Sequence, residues 1–223
     1  MKKTLLLVLL FACVSLVAQA APCVSGATLA SYVALGAGGC TFDGLLFNNF
    51  DYTNPSSGGG ISPDSTGVEV DTVVSGPEGG LEFVASWLAG SGQTSDGNIA
   101  YTVTCQACKI DDLELIMNGV GLGTGLASVA ETSTSPSIGL GTTSSVGFNQ
   151  FSDSTNITPI GTLNLTKDIG ASGGTAGSGH VSGVSNLFST TQTTMTPEPS
   201  LVLLCCSFLG LLPVARRKMR VHR

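Results

Sequence analysis

The chain has 223 residues, 30 of them glycine, with 11% charged residues and a formal net charge of −6. Seven of its 9 basic residues lie at Lys2, Lys3 and from Arg216 onward, so the body from Ala21 to Thr196 carries roughly −12, a field that repels phosphate backbones and excludes nucleic acid as a partner. Without long apolar runs at helical spacing, a helical bundle is excluded too; about 176 residues from Ala21 to Thr196 suit one domain.

In chain order, MKKTLLLVLLFACVSLVAQA has Lys2 and Lys3, an apolar stretch from Leu5 to Ala18, and small residues at Ala18 and Ala20. This is the layout of a cleavable secretory signal over 1–20, cut after Ala20 and handled by the Sec translocon. The rivals are an uncut membrane helix, for which the stretch is short, and a lipid-attachment box at Leu10 to Cys13, which Phe11 fits poorly.

The region 21–188 predicts an all-β fold, a single β-sandwich of jelly-roll or immunoglobulin-like type. Candidate strands are Asp43 to Tyr52, Gly67 to Ser75, Leu81 to Leu88, Asn98 to Cys105, Leu113 to Asn118, Ala127 to Thr132, Ser144 to Ser152, Ile157 to Leu165 and His180 to Phe188. They are rich in Thr, Val, Ile and aromatics and are separated by Gly, Pro, Asn or Asp. Tyr101 to Cys105 alternates apolar and polar, as a half-buried strand does. Leu113-Glu114-Leu115 begins the same rhythm, Ile116-Met117 is expected to break it, and Asn118-Gly119 reads as a turn. Asn48-Asn49 predicts a bulge or bend, and Trp87 a core position. Asn54 to Asp64 and Asp168 to Gly179 read as flexible.

Cys23, Cys40, Cys105 and Cys108 remain in an exported body and predict two disulfides. Three pairings are open; Cys23 with Cys40 and Cys105 with Cys108 is the local one. Cys105-Gln106-Ala107-Cys108 fits a redox pair poorly, lacking a βαβ context, and fits zinc poorly, lacking a second knuckle. His180 is the body's only histidine and no G-x-S-x-G or H-E-x-x-H occurs, so no catalytic residue is assigned and no enzyme is expected. Calcium is the one cofactor that the acids point to, with Asp111, Asp112 and Glu114 as weak ligand candidates and Asp96-Gly97-Asn98 as a second strand end.

A Ser/Thr-rich spacer over 189–196 leads to Pro197-Glu198-Pro199, an apolar segment from Leu201 to Ala215 and the cluster Arg216-Arg217-Lys218. The apolar segment is roughly 22 Å long as a helix, against a hydrocarbon core of about 30 Å. It therefore spans only with help from snorkelling basic residues, which stay cytoplasmic. Over 197–223 these three ordered elements resemble the PEP-CTERM sorting signal. The resemblance implies export, transient anchoring in the inner membrane by a transmembrane helix, and processing by an exosortase-type membrane protease, with Pro197, Glu198, Pro199, Arg216, Arg217 and Lys218 as recognition residues. Cys205 and Cys206 depart from the pattern and leave room for lipid attachment. Cys40-Thr41-Phe42-Asp43, Ile110-Asp111-Asp112-Leu113 and Val184-Ser185-Asn186-Leu187-Phe188 give the body a looser likeness to uncharacterised PEP-CTERM proteins of soil bacteria, which carries no activity. The expectation is a structural or adhesive protein of the cell surface or extracellular polysaccharide matrix. The alternative is a secreted carbohydrate-binding module or glycoside-active enzyme.

Overall fold

Period-2 alternation is the dominant local signal of this chain, and strand answers it almost throughout. The computed structural model describes residues 20–55 and 58–192, nearly all in the first of the chain's two units, which ends at Thr191. The elements are β1 (Ala21–Pro22), β2 (Ala27–Thr28), α1 (Leu29–Ala34), β3 (Cys40–Phe42), β4 (Leu45–Thr53), β5 (Glu69–Ser75), β6 (Glu78–Ala89) and β7 (Thr94–Cys105). They continue as β8 (Cys108–Leu122), β9 (Leu126–Thr134), β10 (Ser137–Ser145), β11 (Phe148–Gln150), β12 (Ser152–Ile160), β13 (Thr162–Ser172) and β14 (Ser178–Gln192). The short helix was not foreseen; it starts where Thr28 Oγ1 accepts from the Ser31 amide at 3.3 Å, and it buries Leu29 and Tyr32. No helix among the described residues is long and apolar enough to cross a membrane. The segment from Leu201 to Ala215 lies outside them.

One sheet has the order β1-β3-β4-β7-β13-β9-β10-β11, the other β12-β8-β14-β6-β5-β2. The β4–β7, β7–β13, β13–β9 and β6–β14 registers are antiparallel, while β1 lies parallel to β3. Aromatic rings close the space between the sheets: Phe47 of β4 lies 6.1 Å from Phe188 of β14, and Phe83 of β6 lies 5.7 Å from Tyr101 of β7. The arrangement is a β-sandwich. Trp87 is fully buried in the core, as expected.

Several boundaries differ from the sequence reading. Asp43-Gly44 is the two-residue turn between β3 and β4, both residues having positive φ, so Asp43 belongs to no strand. The run Ser144 to Ser152 is broken at Val146-Gly147 and again at Phe151, and Ile157 to Leu165 is cut at Gly161. The segment Asp168 to Gly179 is strand up to Ser172 and again from Ser178, and Asn118-Gly119 runs through β8 without turning. β14 continues through Gln192, into the expected spacer. At Asp168 to Ser172 and at Asn118-Gly119 neighbouring strands override the local turn and linker composition. At Asn48-Asn49 the β4–β7 register shifts and Asn49 takes φ 53, as the Asn pair predicts.

Four of the buried side chains form a polar network in the core. Lys167 on β13 stands directly opposite Glu131 on β9, and both are fully buried and paired. Asn186 of β14 donates to Glu131 Oε1 at 3.0 Å, and the Tyr101 hydroxyl donates to Asn186 Oδ1 at 2.6 Å. Every member is thus hydrogen-bonded, as a buried network requires.

Two outcomes follow. Gly97 on β7 faces Trp87 across the core, and a Cβ there would overlap the indole nitrogen. Gly97→Ala lowers stability by about 1–3 kcal/mol, measured as a drop in the urea midpoint with a shift of Trp87 fluorescence. Burial, with the Glu131 charge adding to it, pushes the Tyr101 phenol well above its ordinary 10.0, and burial raises Tyr32 and Tyr52 as well. Raised folded values mean that this stability is present below about pH 10 and is lost as pH climbs from there. The urea midpoint therefore falls above that pH, less steeply in Tyr101→Phe.

Candidate functional site

β8 and β14 are neighbours in the six-stranded sheet, so their outward residues share a face. On β8, Leu113, Leu115 and Met117 join the core, which turns Glu114, Ile116 and Asn118 outward. The expected break at Ile116-Met117 does not occur: Ile116 is an apolar residue on the outer face. On β14, Val181 joins the core and leaves His180 and Ser182 outside. Phe151 is where the chain crosses from β11 in one sheet to β12 in the other. Its carbonyl accepts from the Met117 amide at 2.8 Å, and its side chain stays 46% exposed.

These residues enclose a groove of about 500 Å³ lined by Ile116, Asn118, Val120, Phe151, His180 and Ser182 among others. Its polar groups are held in place. His180 Nε2 lies 3.1 Å from Ser86 Oγ of β6, Ser182 Oγ donates to the Asn118 carbonyl at 3.1 Å, and Asn118 Nδ2 donates to Glu82 Oε1 at 3.4 Å. Ser86 and His180 are a serine–histidine pair, but among the described residues no carboxylate hydrogen-bonds the other His180 nitrogen. The third member of a hydrolytic triad is missing there.

Further along β8 the same face is acidic. Partial burial raises the Asp112 carboxyl, with Glu78 and Asp111 adding, and raises Glu114, with Glu78 and Asp112 adding. Among the described residues no three His, Cys, Asp or Glu side chains, those of Asp111, Asp112 and Glu114 included, are grouped as a metal ion requires. Asp96-Gly97-Asn98 lies within β7 and not at a strand end. On the outer face of the eight-stranded sheet Asp96 and Asp168 line a second hollow of about 340 Å³, floored by Ser128, Gly141 and Gly170. Burial, and then the Asp168 charge, raises Asp96.

Cys23 is bonded to Cys40 and Cys105 to Cys108. The first ties the segment before α1 to β3; the second closes the β7–β8 turn, and strand β8 follows Cys108 where a redox pair would have a helix start. Pro197, Glu198, Pro199, Arg216, Arg217 and Lys218 lie outside the described residues.

No family model matches the chain, and no curated protein matches it. Among solved structures it is similar to the carbohydrate-binding module TmCBM27, described for specific mannan recognition, with 12% identity and a TM-score of 0.33 over 67% of this chain and 99% of that one. It is also similar to TmCBM61, solved with β-1,4-galactotriose, with 10% identity and a TM-score of 0.29 over 61% of this chain and 86% of that one. A third is the enzymatically active domain of bacteriophage CBA120 tailspike protein 4, with 13% identity and a TM-score of 0.28; the match covers 62% of this chain and spans only 19% of that one. At TM-scores below one half these likenesses assign neither family nor ligand.

Of the groove residues, the sequence reading weighed His180 alone for a chemical role and took Asn118 for part of a turn. The alternation His180-Val181-Ser182 was a usable signal, since it puts His180 and Ser182 on one face. Ser86, Asn118 and Phe151 carried none, because strand pairing and a sheet crossover bring them there.

Proposed function

We propose that the body is a non-catalytic binding module that holds neutral glycan chains in the groove on its six-stranded sheet. The observation that carries this reading is an exposed aromatic ring, Phe151, beside an amide, an imidazole and a hydroxyl from Asn118, His180 and Ser182. A sugar ring has an apolar face of C–H groups, which packs on an aromatic surface, and a rim of hydroxyls that both donate and accept. Asn, His and Ser supply both roles, whereas a purely acidic or basic lining would not. The volume is that of a small-ligand site, and its position on an open sheet face leaves room for a polymer to run past. The body's negative charge disfavours polyanions and leaves neutral glycans as the partner.

Delivery belongs to the same proposal. The signal over 1–20 takes the chain across the inner membrane through the Sec translocon. The segment 197–223 holds it there until an exosortase-type protease reads Pro197-Glu198-Pro199 and releases the module to the cell surface or polysaccharide matrix. A glycan-binding cargo suits that destination, where retention by polysaccharide replaces the lost anchor.

On arrays of neutral polysaccharides, Phe151→Ala weakens retention about tenfold, a loss of ~1.4 kcal/mol, and Asn118→Ala weakens it further, while Asp168→Asn on the opposite face leaves it unchanged. Consumption of the glycan, abolished by Ser86→Ala, would replace this reading with a hydrolase. Replacing Pro197, Glu198 and Pro199 with alanine leaves the protein membrane-bound with its tail uncut, as read by fractionation of the native host and mass spectrometry. Normal release of that variant would refute the sorting role.

A further inference from the structure

Neither groove uses the polar side chains of the core, and these are arranged as a reaction site. Glu131 stands between two partners, one carboxylate oxygen taking the hydrogen bond from Lys167 Nζ and the other that from Asn186 Nδ2 at 3.0 Å. The Tyr101 hydroxyl donates to Asn186 Oδ1 at 2.6 Å, and Lys167 Nζ lies 5.4 Å from the centroid of the Tyr101 ring. All of Lys167, Glu131 and Asn186 are at zero exposure, with Tyr101 nearly so. An amine, a carboxylate bridging amine and amide, and a hydroxyl aimed at the amide oxygen are the parts of an acyl transfer: nucleophile, proton carrier, electrophile and oxyanion donor.

We infer that Lys167 and Asn186 join in an intramolecular isopeptide bond, with Glu131 carrying the protons and Tyr101 holding the developing oxyanion. The Lys167 ammonium first passes a proton to the Glu131 carboxylate, leaving a neutral amine. Its lone pair attacks Asn186 Cγ, and the carbonyl electrons move onto Oδ1, where the Tyr101 hydroxyl meets them. Glu131 returns its proton to Nδ2, the Cγ–Nδ2 bond breaks as the carbonyl re-forms, and ammonia leaves. The second Nζ proton goes to Glu131 and from there to the departing ammonia. The balance is one lysine ammonium and one asparagine amide giving one secondary amide and one ammonium ion, with no oxidant, metal or cofactor. Burial pulls Lys167 below its ordinary range, against the opposing charge of Glu131, and so favours the amine that the first step needs.

The groups come from β7, β9, β13 and β14, so the site exists only in the folded chain and the bond forms after folding. It links β13 of the eight-stranded sheet to β14 of the six-stranded one, a covalent tie between the two layers. The inference does not depend on the glycan groove.

The test is the mass of the folded full chain, measured after reduction and denaturation and referenced to its own peptide map. The expected result is a mass lower than that of the sequence by one ammonia, with one branched peptide that joins the Lys167 and Asn186 segments. Glu131→Gln and Lys167→Met, checked for folding by near-ultraviolet circular dichroism, keep the full mass and yield only linear peptides. An unshifted mass for the unsubstituted chain after prolonged incubation overturns the inference without any variant having to fold. A loss of ammonia that persists in Lys167→Met would be an imide at an asparagine and would also overturn it.

Discussion

The pair formed by Lys167 and Glu131 sets the terms for the rest of this structure. Two ions taken out of water into a sheet interior cost more than their attraction alone returns, unless further hydrogen bonds complete them. Asn186 and Tyr101 supply that completion, and in doing so they constrain geometry. Lys167 meets Glu131 in the observed β13–β9 register, and a slip of one residue would send one of the two side chains to the outer face and leave the other buried without it. Asn186 reaches across from the other sheet, so the same contact fixes how the two layers lie on one another. An apolar core would tolerate sliding that this one does not.

With registry held from inside, the outer faces are left to composition. Gly, Ser and Thr fill much of the outer surface of the eight-stranded sheet, whose hollow has a floor of Ser128, Gly141 and Gly170. The six-stranded sheet divides its outer face along β8. Glu78, Asp112 and Glu114 repel one another at one end, while Ile116, Asn118 and Val120 line the groove at the other. Repulsion of this kind is tolerable because these carboxylates keep much of their solvent. It also leaves the groove as the part of that face where apolar and uncharged polar groups meet, the mixture that a neutral polyhydroxylated ligand needs.

Strand composition was legible in the sequence wherever one face is apolar. Tyr101 to Cys105 alternates without interruption, and Trp87 is buried as its size and apolar neighbours imply. What misled was polarity of composition. Ser137 to Thr143 lie outside every candidate strand, yet Ser137–Ser145 forms β10 because β9 pairs with it along its whole length. The polar core was hidden for a related reason. Lys167 falls on the inward parity of Leu163, Leu165 and Ile169, and Glu131 on that of Ala127 and Val129. A lysine and a glutamate on apolar parity are each an anomaly in a single strand. Together they are a signal, but only once β13 and β9 are known to be neighbours, which local sequence does not encode.

β14 shows how one irregularity serves both the interior and the surface. Val181 points into the core, and strict alternation would then send residues 183, 185 and 187 inward and put Asn186 in solvent. The register against β6 shifts between Val181 and Gly183, and beyond that point Val184 and Phe188 join the core, with Asn186 fully buried. The extra residue of this bulge belongs to β6, where Ala85 and Ser86 stand against Ser182 alone, and the parity of β14 relative to β6 reverses there. Before it, His180 and Ser182 face the groove; after it, Asn186 faces Glu131. Gly183 sits at the switch, buried where a Cβ would crowd the Glu82 carboxylate at 3.0 Å. A regular strand could present the groove residues outward or the amide inward, and the bulge is what lets this strand do both.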